Sequence, residues 1–113
     1  MSYNIIEGTT IRFVTTTPFT SFDGTVVNPD VVTFSYEVQG QSPTTFTWTN
    51  GSGDPTNTIV NTATGTFYAN IPTTGLAGVW TWQWAGYPSS GLDVTATTVV
   101  AEGSVTVSPT SVN

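Results

Sequence analysis

The sequence predicts an all-β fold, an antiparallel sandwich of seven or eight strands, and three observations carry that reading. Apolar residues recur at every second position in several short runs, as they do along a half-buried strand. Turn residues (Gly, Pro, Asn and Asp) punctuate the chain about every 8–14 residues, the rhythm of a sandwich or barrel. No window shows the 3.6-residue apolar period, with caps, that an amphipathic helix needs. The strongest run is the one around Trp80, Trp82 and Trp84, which carries three of the four tryptophans. Their spacing of two puts all three on one face of a strand. Burying an indole removes very roughly 200 Å² from water, worth several kcal/mol at about 25 cal/mol/Å². This strand is expected to be the keel of the core.

The elements follow in order. Residues 1–8 read as an N-terminal arm, 9–108 as the domain and 109–113 as a C-terminal tail. The first strand spans about 9–16, with Ile11 and Phe13 inward and Arg12 outward. A turn-rich connection follows, Thr17-Pro18-Phe19-Thr20-Ser21-Phe22-Asp23-Gly24, with Asp-Gly at its tip. Asn28-Pro29-Asp30 breaks the chain before a strand over 31–38, where Val32, Phe34, Tyr36 and Val38 share one face. Gly40-Gln41-Ser42-Pro43 turns into a strand over 44–49 that pairs Phe46 and Trp48 on a face. The loop 50–57 leads to a short strand over 58–61. Thr64-Gly65 opens another over 66–71, and Pro72 to Gly78 leads into the tryptophan strand, 79–85. After the loop 86–91, residues 94–100 and 104–108 are extended, with Val105 and Val107 inward.

Composition excludes several kinds of function. The chain has 113 residues, no cysteine, histidine or lysine, a single cation in Arg12 and seven acids, for a net charge of -6. That charge argues against nucleic acid, which needs clustered Lys and Arg, and against docking on anionic membranes. The 7% charged fraction lies far below the roughly 25% of ordinary domains, and 25 threonines fill the gap. Threonine suits the solvated face of a strand. Either this is a compositional habit, or much of the surface is covered by other subunits. The N-terminal residues lack the basic and apolar regions of a signal peptide. No apolar run approaches the 18 or so residues of a spanning helix. The expected setting is synthesis in the cytoplasm, with the chain staying soluble unless it leaves as part of an assembly.

Catalysis finds little to work with. Nucleophilic and acid–base mechanisms need groups that titrate near the working pH, and no serine here can have a His or Lys base. The acids fall singly in turns and strand ends, unlike the carboxylate pair of a glycosidase. The loop 50–57 offers oxygen donors, yet only one carboxylate, Asp54, where a calcium site draws on several. A plain turn is expected there, with no metal or cofactor anywhere. The chain is expected not to be an enzyme.

Aromatic residues off the inward pattern are the candidates for contact with partners, because interfaces favour large aromatic area. They are Tyr3, Phe19, Phe22, Tyr68, Tyr87 and Pro88, the last beside Tyr87 in the loop after the tryptophan strand. Phe19 and Phe22 either meet a partner or fold back to cap the open end of the sandwich. The three tryptophans either fill the core or, as in a carbohydrate-binding module, stack on sugars. The inward residues of the other strands need a partner sheet, which favours the core.

Five stretches together carry a resemblance. They are Glu7-Gly8-Thr9; Asn28-Pro29-Asp30; Thr64-Gly65-Thr66-Phe67-Tyr68; Ala77-Gly78-Val79-Trp80-Thr81-Trp82-Gln83-Trp84; and Ala101-Glu102-Gly103-Ser104-Val105-Thr106-Val107. Spread over residues 7 to 108, they resemble the small immunoglobulin-like structural proteins of tailed bacteriophages. The resemblance implies an Ig-like sandwich in a virion, first as a capsid decoration or cement protein bound to the major capsid protein. The alternatives are a head–tail connector, a tail component or a fibre domain. It implies a multicopy or homo-oligomeric protein and transfers no catalytic motif. The cysteine pair of cell-surface immunoglobulin domains is missing. The terminal arms, being extended and nearly uncharged, are expected to add strands to neighbouring subunits.

Overall fold

Two sheets pack face to face in the computed structural model, which describes residues 4–20, 24–87 and 98–109. The strands are β1 (Asn4–Ile6), β2 (Thr10–Val14), β3 (Val31–Val38), β4 (Thr44–Thr49), β5 (Ile59–Ala63), β6 (Thr66–Pro72), β7 (Gly78–Tyr87) and β8 (Thr98–Ser108). One sheet has the order β1-β8-β7-β3-β4 and the other β2-β6-β5. These correspond to the G-F-C-C′ and B-E-D strands of an immunoglobulin-like sandwich, with a further strand, β1, on the outer side of G. The predicted all-β sandwich is the fold observed.

Local sequence accounts for most of the elements. β3 and β4 have the expected bounds, joined through Gly40 at φ +86°, a conformation glycine adopts without strain. Their antiparallel register sets Phe34 against Phe46 and Val32 against Trp48. β7 and β8 are longer than expected. The two extended pieces expected near the C-terminus are one strand over the described residues, interrupted by a register shift opposite Trp84 and Ala85. Residues 94–97, expected in the first piece, lie outside the described residues.

The N-terminal arm differs from expectation. Residues 4–6 form β1, which pairs in parallel with 106–108 of the same chain, and the Glu7 N–H continues the ladder to the Ser108 carbonyl at 2.7 Å. Ile5 packs against the core. Three residues are too few to display an alternation, so the strand is invisible until β8 is in place. Residues 4–6 are thus paired within the chain, while residues 110–113 of the C-terminal tail lie outside the described residues; β1–β8 is the one parallel pair among the described strands.

The core sits on β7. Trp80 and Trp84 are completely enclosed, together with Phe34, Val32 and Phe67. Phe34 tilts against Trp84 at 4.8 Å and against Phe13 of the opposite sheet at 4.9 Å between ring centroids. Trp82 also faces inward, 5.4 Å from Phe13, yet remains only half-buried. Its indole lies across Gly103 of β8, where an added Cβ would stand 3.1 Å from the ring. The Trp80 Nε1–H donates to the Leu76 carbonyl at 2.7 Å. The Trp84 Nε1–H is buried and meets no acceptor among the described residues, a deficit worth about 1–3 kcal/mol.

Candidate interaction surfaces

The six sequence candidates separate sharply. Tyr3, Phe22 and Pro88 lie outside the described residues. Phe19 is 1% exposed and belongs to the core, so it is corrected from a contact residue to the cap at the end of the sandwich. Its ring meets Phe67 edge-on at 5.8 Å and covers Gly86, where a Cβ would come within 2.6 Å of it. Its N–H donates to the Gly65 carbonyl, and its own carbonyl accepts from the Val27 N–H, each at 3.0 Å. Gly65, at φ +76°, leaves no space for a side chain either: a Cβ would stand 2.9 Å from the Phe19 carbonyl. A glycine within a strand pattern, such as Gly86, marks close approach of another group, and that is the signal the polar loop sequence concealed.

Tyr68 and Tyr87 occupy outer faces. On the three-stranded sheet the Arg12 guanidinium sits 3.9 Å over the Tyr68 ring, while Arg12 Nε–H donates to Asn70 Oδ1 at 2.9 Å. The register places Val14 and Val60 on either side of Tyr68. The chain's single cation is thus held on a ring within a small apolar row, an arrangement worth about 0.5–1 kcal/mol at an exposed site. Tyr87 is exposed at the end of β7, opposite Val31.

A shallow groove of about 560 Å³ crosses the outer face of the five-stranded sheet, lined by Ser35, Glu37, Thr81, Gln83, Glu102 and Ser104 among others. The register brings the two glutamates to one face, Glu37 beside Thr81 and Glu102 beside Gln83. Sequence alone left them as scattered acids. Two strand spacings and a two-residue offset separate their Cα atoms by about 12 Å.

Asp54 has a structural task. Thr56 N–H (2.8 Å) and Thr56 Oγ1–H (2.7 Å) donate to its Oδ1, and Thr58 N–H (3.1 Å) and Ile59 N–H (2.9 Å) to its Oδ2. Burial by itself raises the pKa of this carboxyl. The hydrogen bonds, led by Ile59 N–H and the Thr56 hydroxyl, outweigh burial and hold it below its ordinary value of 3.8. The Asn57 N–H closes the turn onto the Asp54 carbonyl at 2.9 Å, with Asn57 at φ 58°. Four donors tie this carboxylate into its own loop. Among the described residues no group of acids could hold a metal ion.

Two further ties join loops that the sequence leaves unrelated. Asn28 Oδ1 accepts from Gly65 N–H at 2.7 Å and from Asn61 Nδ2 at 3.3 Å, clasping the β5–β6 hairpin to the β2–β3 connection. Thr73 Oγ1 donates to the Thr9 carbonyl (2.6 Å) and accepts from Gly8 N–H (2.9 Å), and Glu7 accepts from Gly75 N–H. The stretches Glu7-Gly8-Thr9 and Asn28-Pro29-Asp30 therefore serve in part as loop fasteners.

In comparisons with known proteins, no family model matches the chain, and no curated protein matches it.

Proposed function

We propose that the chain is a non-enzymatic structural protein that works by adhering to other protein subunits. In its narrower form, it is a decoration protein on the outside of a bacteriophage capsid, bound in many copies to the major capsid protein. The observation that carries the general reading is the surface chemistry: threonine-covered sheet faces, one cation and that one resting on Tyr68, with exposed Val14, Val26, Val79 and Tyr87 set among them. A surface poor in charge has little to desolvate on contact, and interface centres are depleted in charge in the same way. The narrower form rests on the resemblance of the five stretches. A contact of about 1,600 Å² would hold one copy, and repetition over a symmetric shell would strengthen attachment through effective concentration. A connector, tail or fibre position would use the same chemistry.

Mass spectrometry and electron cryomicroscopy of purified particles test this. The expected result is the chain at a constant ratio to the major capsid protein, with sandwich-sized density on the shell exterior. Absence from particles would sink the capsid reading. Density at the neck, tail or fibre would move the protein to that position. Sugar binding is the reading of another class, and it has lost much of its basis: Trp80 and Trp84 are enclosed, leaving the half-buried Trp82 and exposed Tyr87. A glycan array with tryptophan quenching separates the two classes, and saturable quenching by a sugar would favour the module.

A further inference from the structure

The hydrogen bonds around β4 reveal which of its backbone groups remain open. Asn50 N–H donates to the Asp30 carbonyl at 2.8 Å, in continuation of the register that sets Val32 against Trp48 and Phe34 against Phe46. Bonded and non-bonded positions alternate along an antiparallel pair. Thr44, Phe46 and Trp48 therefore bond to β3, and Thr45, Thr47 and Thr49 aim their N–H and C=O groups away from it. Thr49 is satisfied by the loop: its N–H reaches the Gly53 carbonyl at 3.0 Å, and its carbonyl accepts from Gly53 N–H at 2.7 Å. Thr45 and Thr47 are left with outward backbone groups and no backbone partner among the described residues.

We propose that a second copy of this chain closes that edge, β4 against β4, in a twofold-symmetric antiparallel pair centred on Phe46. In this register Thr45 faces Thr47 of the second copy, and Thr47 faces its Thr45, so four backbone hydrogen bonds form and the two sheets become one of ten strands. The edge is self-complementary in its limits as well. The next bonded positions outward would match Pro43 with Thr49. Pro43 has no N–H to satisfy, and Thr49 is already closed by Gly53. The half-buried Phe46 rings meet at the axis, where non-bonded pairs bring Cα atoms to about 4.5 Å. A groove of about 280 Å³ runs beside the strand, lined by Thr45, Phe46, Thr47, Thr49, Asp54 and Pro55 among others.

Charge selects this edge for self-association. No charged residue stands between Glu37 and Asp54 in a chain of net charge -6. Asp54, which borders the edge, is buried and held by four donors of its own loop, so the two strands themselves meet without facing charges. The edge of β2 is different: Thr73 N–H donates to the Thr9 carbonyl and Thr15 N–H to that of Phe67, which turns Thr10, Arg12 and Val14 outward. The register that pairs all three would oppose Arg12 to its own copy, a destabilising like-charge pair. The edge of β5 is obstructed at its start by the Asp54 carboxylate on Thr58 and Ile59 N–H, and its register slips between Asn61 and Ala63. β1 is only three residues long.

Sedimentation of the intact chain over a concentration series tests the pairing, alongside T47P and T45K/T47K variants. Proline at position 47 removes an outward N–H that the folded monomer does not use, and edge strands tolerate proline there. The expected result is a reversible dimer of twice 11.9 kDa, weakened on the order of 10- to 100-fold by T47P, which removes two of the four bonds by symmetry. The double lysine variant should weaken it too, with partial recovery in high salt. Amide hydrogen exchange at Thr45 and Thr47 should slow as concentration rises. Melting curves check folding, and if T47P does not fold, the lysine variant decides. A chain that stays monomeric throughout, or a dimer that neither variant weakens, would overturn the proposal. The pairing does not rest on the capsid reading, which the particle experiments test separately.

Discussion

β7 and β4 carry nearly the same local pattern and meet different fates. Trp-Thr-Trp-Gln-Trp in one and Thr-Phe-Thr-Trp-Thr in the other both alternate aromatic residues with polar ones, and both turn the aromatics inward. β7 lies between β3 and β8, and two of its indoles are sealed. β4 has β3 on one side only; its Phe46 stays half-buried, and two of its threonines present open backbone groups. A period of two decides which face of a strand is apolar. Whether that face is enclosed, and whether the strand's flank is satisfied, depends on where the strand falls in the sheet. The difference separates the part of the molecule that holds the fold from the part free to bind.

Substitutions ordered by expected effect can break or sharpen this contrast. Trp84→Ala should be the most damaging, costing about 3–5 kcal/mol in chemical denaturation, as for other large-to-small changes in a closed core. Trp84→Phe removes the unpartnered Nε1–H with the outer part of the ring, so its cost should fall well below that of alanine. If the two variants were equally damaging, the enclosed indole would not be packed as described.

Asp54→Ala should come next, at about 2–3 kcal/mol, because it leaves the N–H groups of Thr56, Thr58 and Ile59 without their charged acceptor. It carries a pH signature. The folded pKa lies below the ordinary 3.8, so the carboxylate's contribution is complete above that value and is lost as pH falls through the lower, folded one. Melting temperatures of the parent and Asp54→Ala should therefore converge in acid below pH 3.8 and diverge above it. A gap independent of pH would mean that shape, not charge, holds the loop.

Phe46→Ala should cost about 1–2 kcal/mol, less than any enclosed aromatic, since part of its ring is already in water. Thr47→Pro closes the series. Its effect on monomer stability should stay within about 1 kcal/mol, because the N–H it removes lies outside the ladder of an edge strand, while its effect on self-association is large. Protection of the Thr47 amide from hydrogen exchange in the dilute monomer would show that its N–H is used inside the chain and that the edge is not open.

Much of the fold was legible in local pattern. The alternation in 31–38 and 44–49 marked β3 and β4 to the residue, and the tryptophan spacing identified the central strand. The candidate surfaces were less legible. Phe19 sits among Thr, Pro and Ser, a setting that left partner contact and capping both open, and Gly65 and Gly86, distant in sequence, open the space that encloses it. Tyr68 read correctly as an outward residue, but not its place under Arg12, which depends on β2 lying beside β6. Glu37 and Glu102 became neighbours on one face only through the β3–β7–β8 register. β1 was hidden because a three-residue parallel strand has no signature apart from its partner.

By itself, then, the sequence determined a threonine-rich β-sandwich built on the strand of Trp80, Trp82 and Trp84, with no histidine, cysteine or lysine and a single arginine. Those properties follow from composition and from a period of two, which neighbouring residues express without reference to the rest of the chain. Only the tertiary structure decided that Phe19 is core, that Asp54 is spent on its own loop, that residues 4–6 are paired at home, and that Thr45 and Thr47 are open. Each depends on which strands lie side by side, and in a sandwich those strands are far apart in sequence.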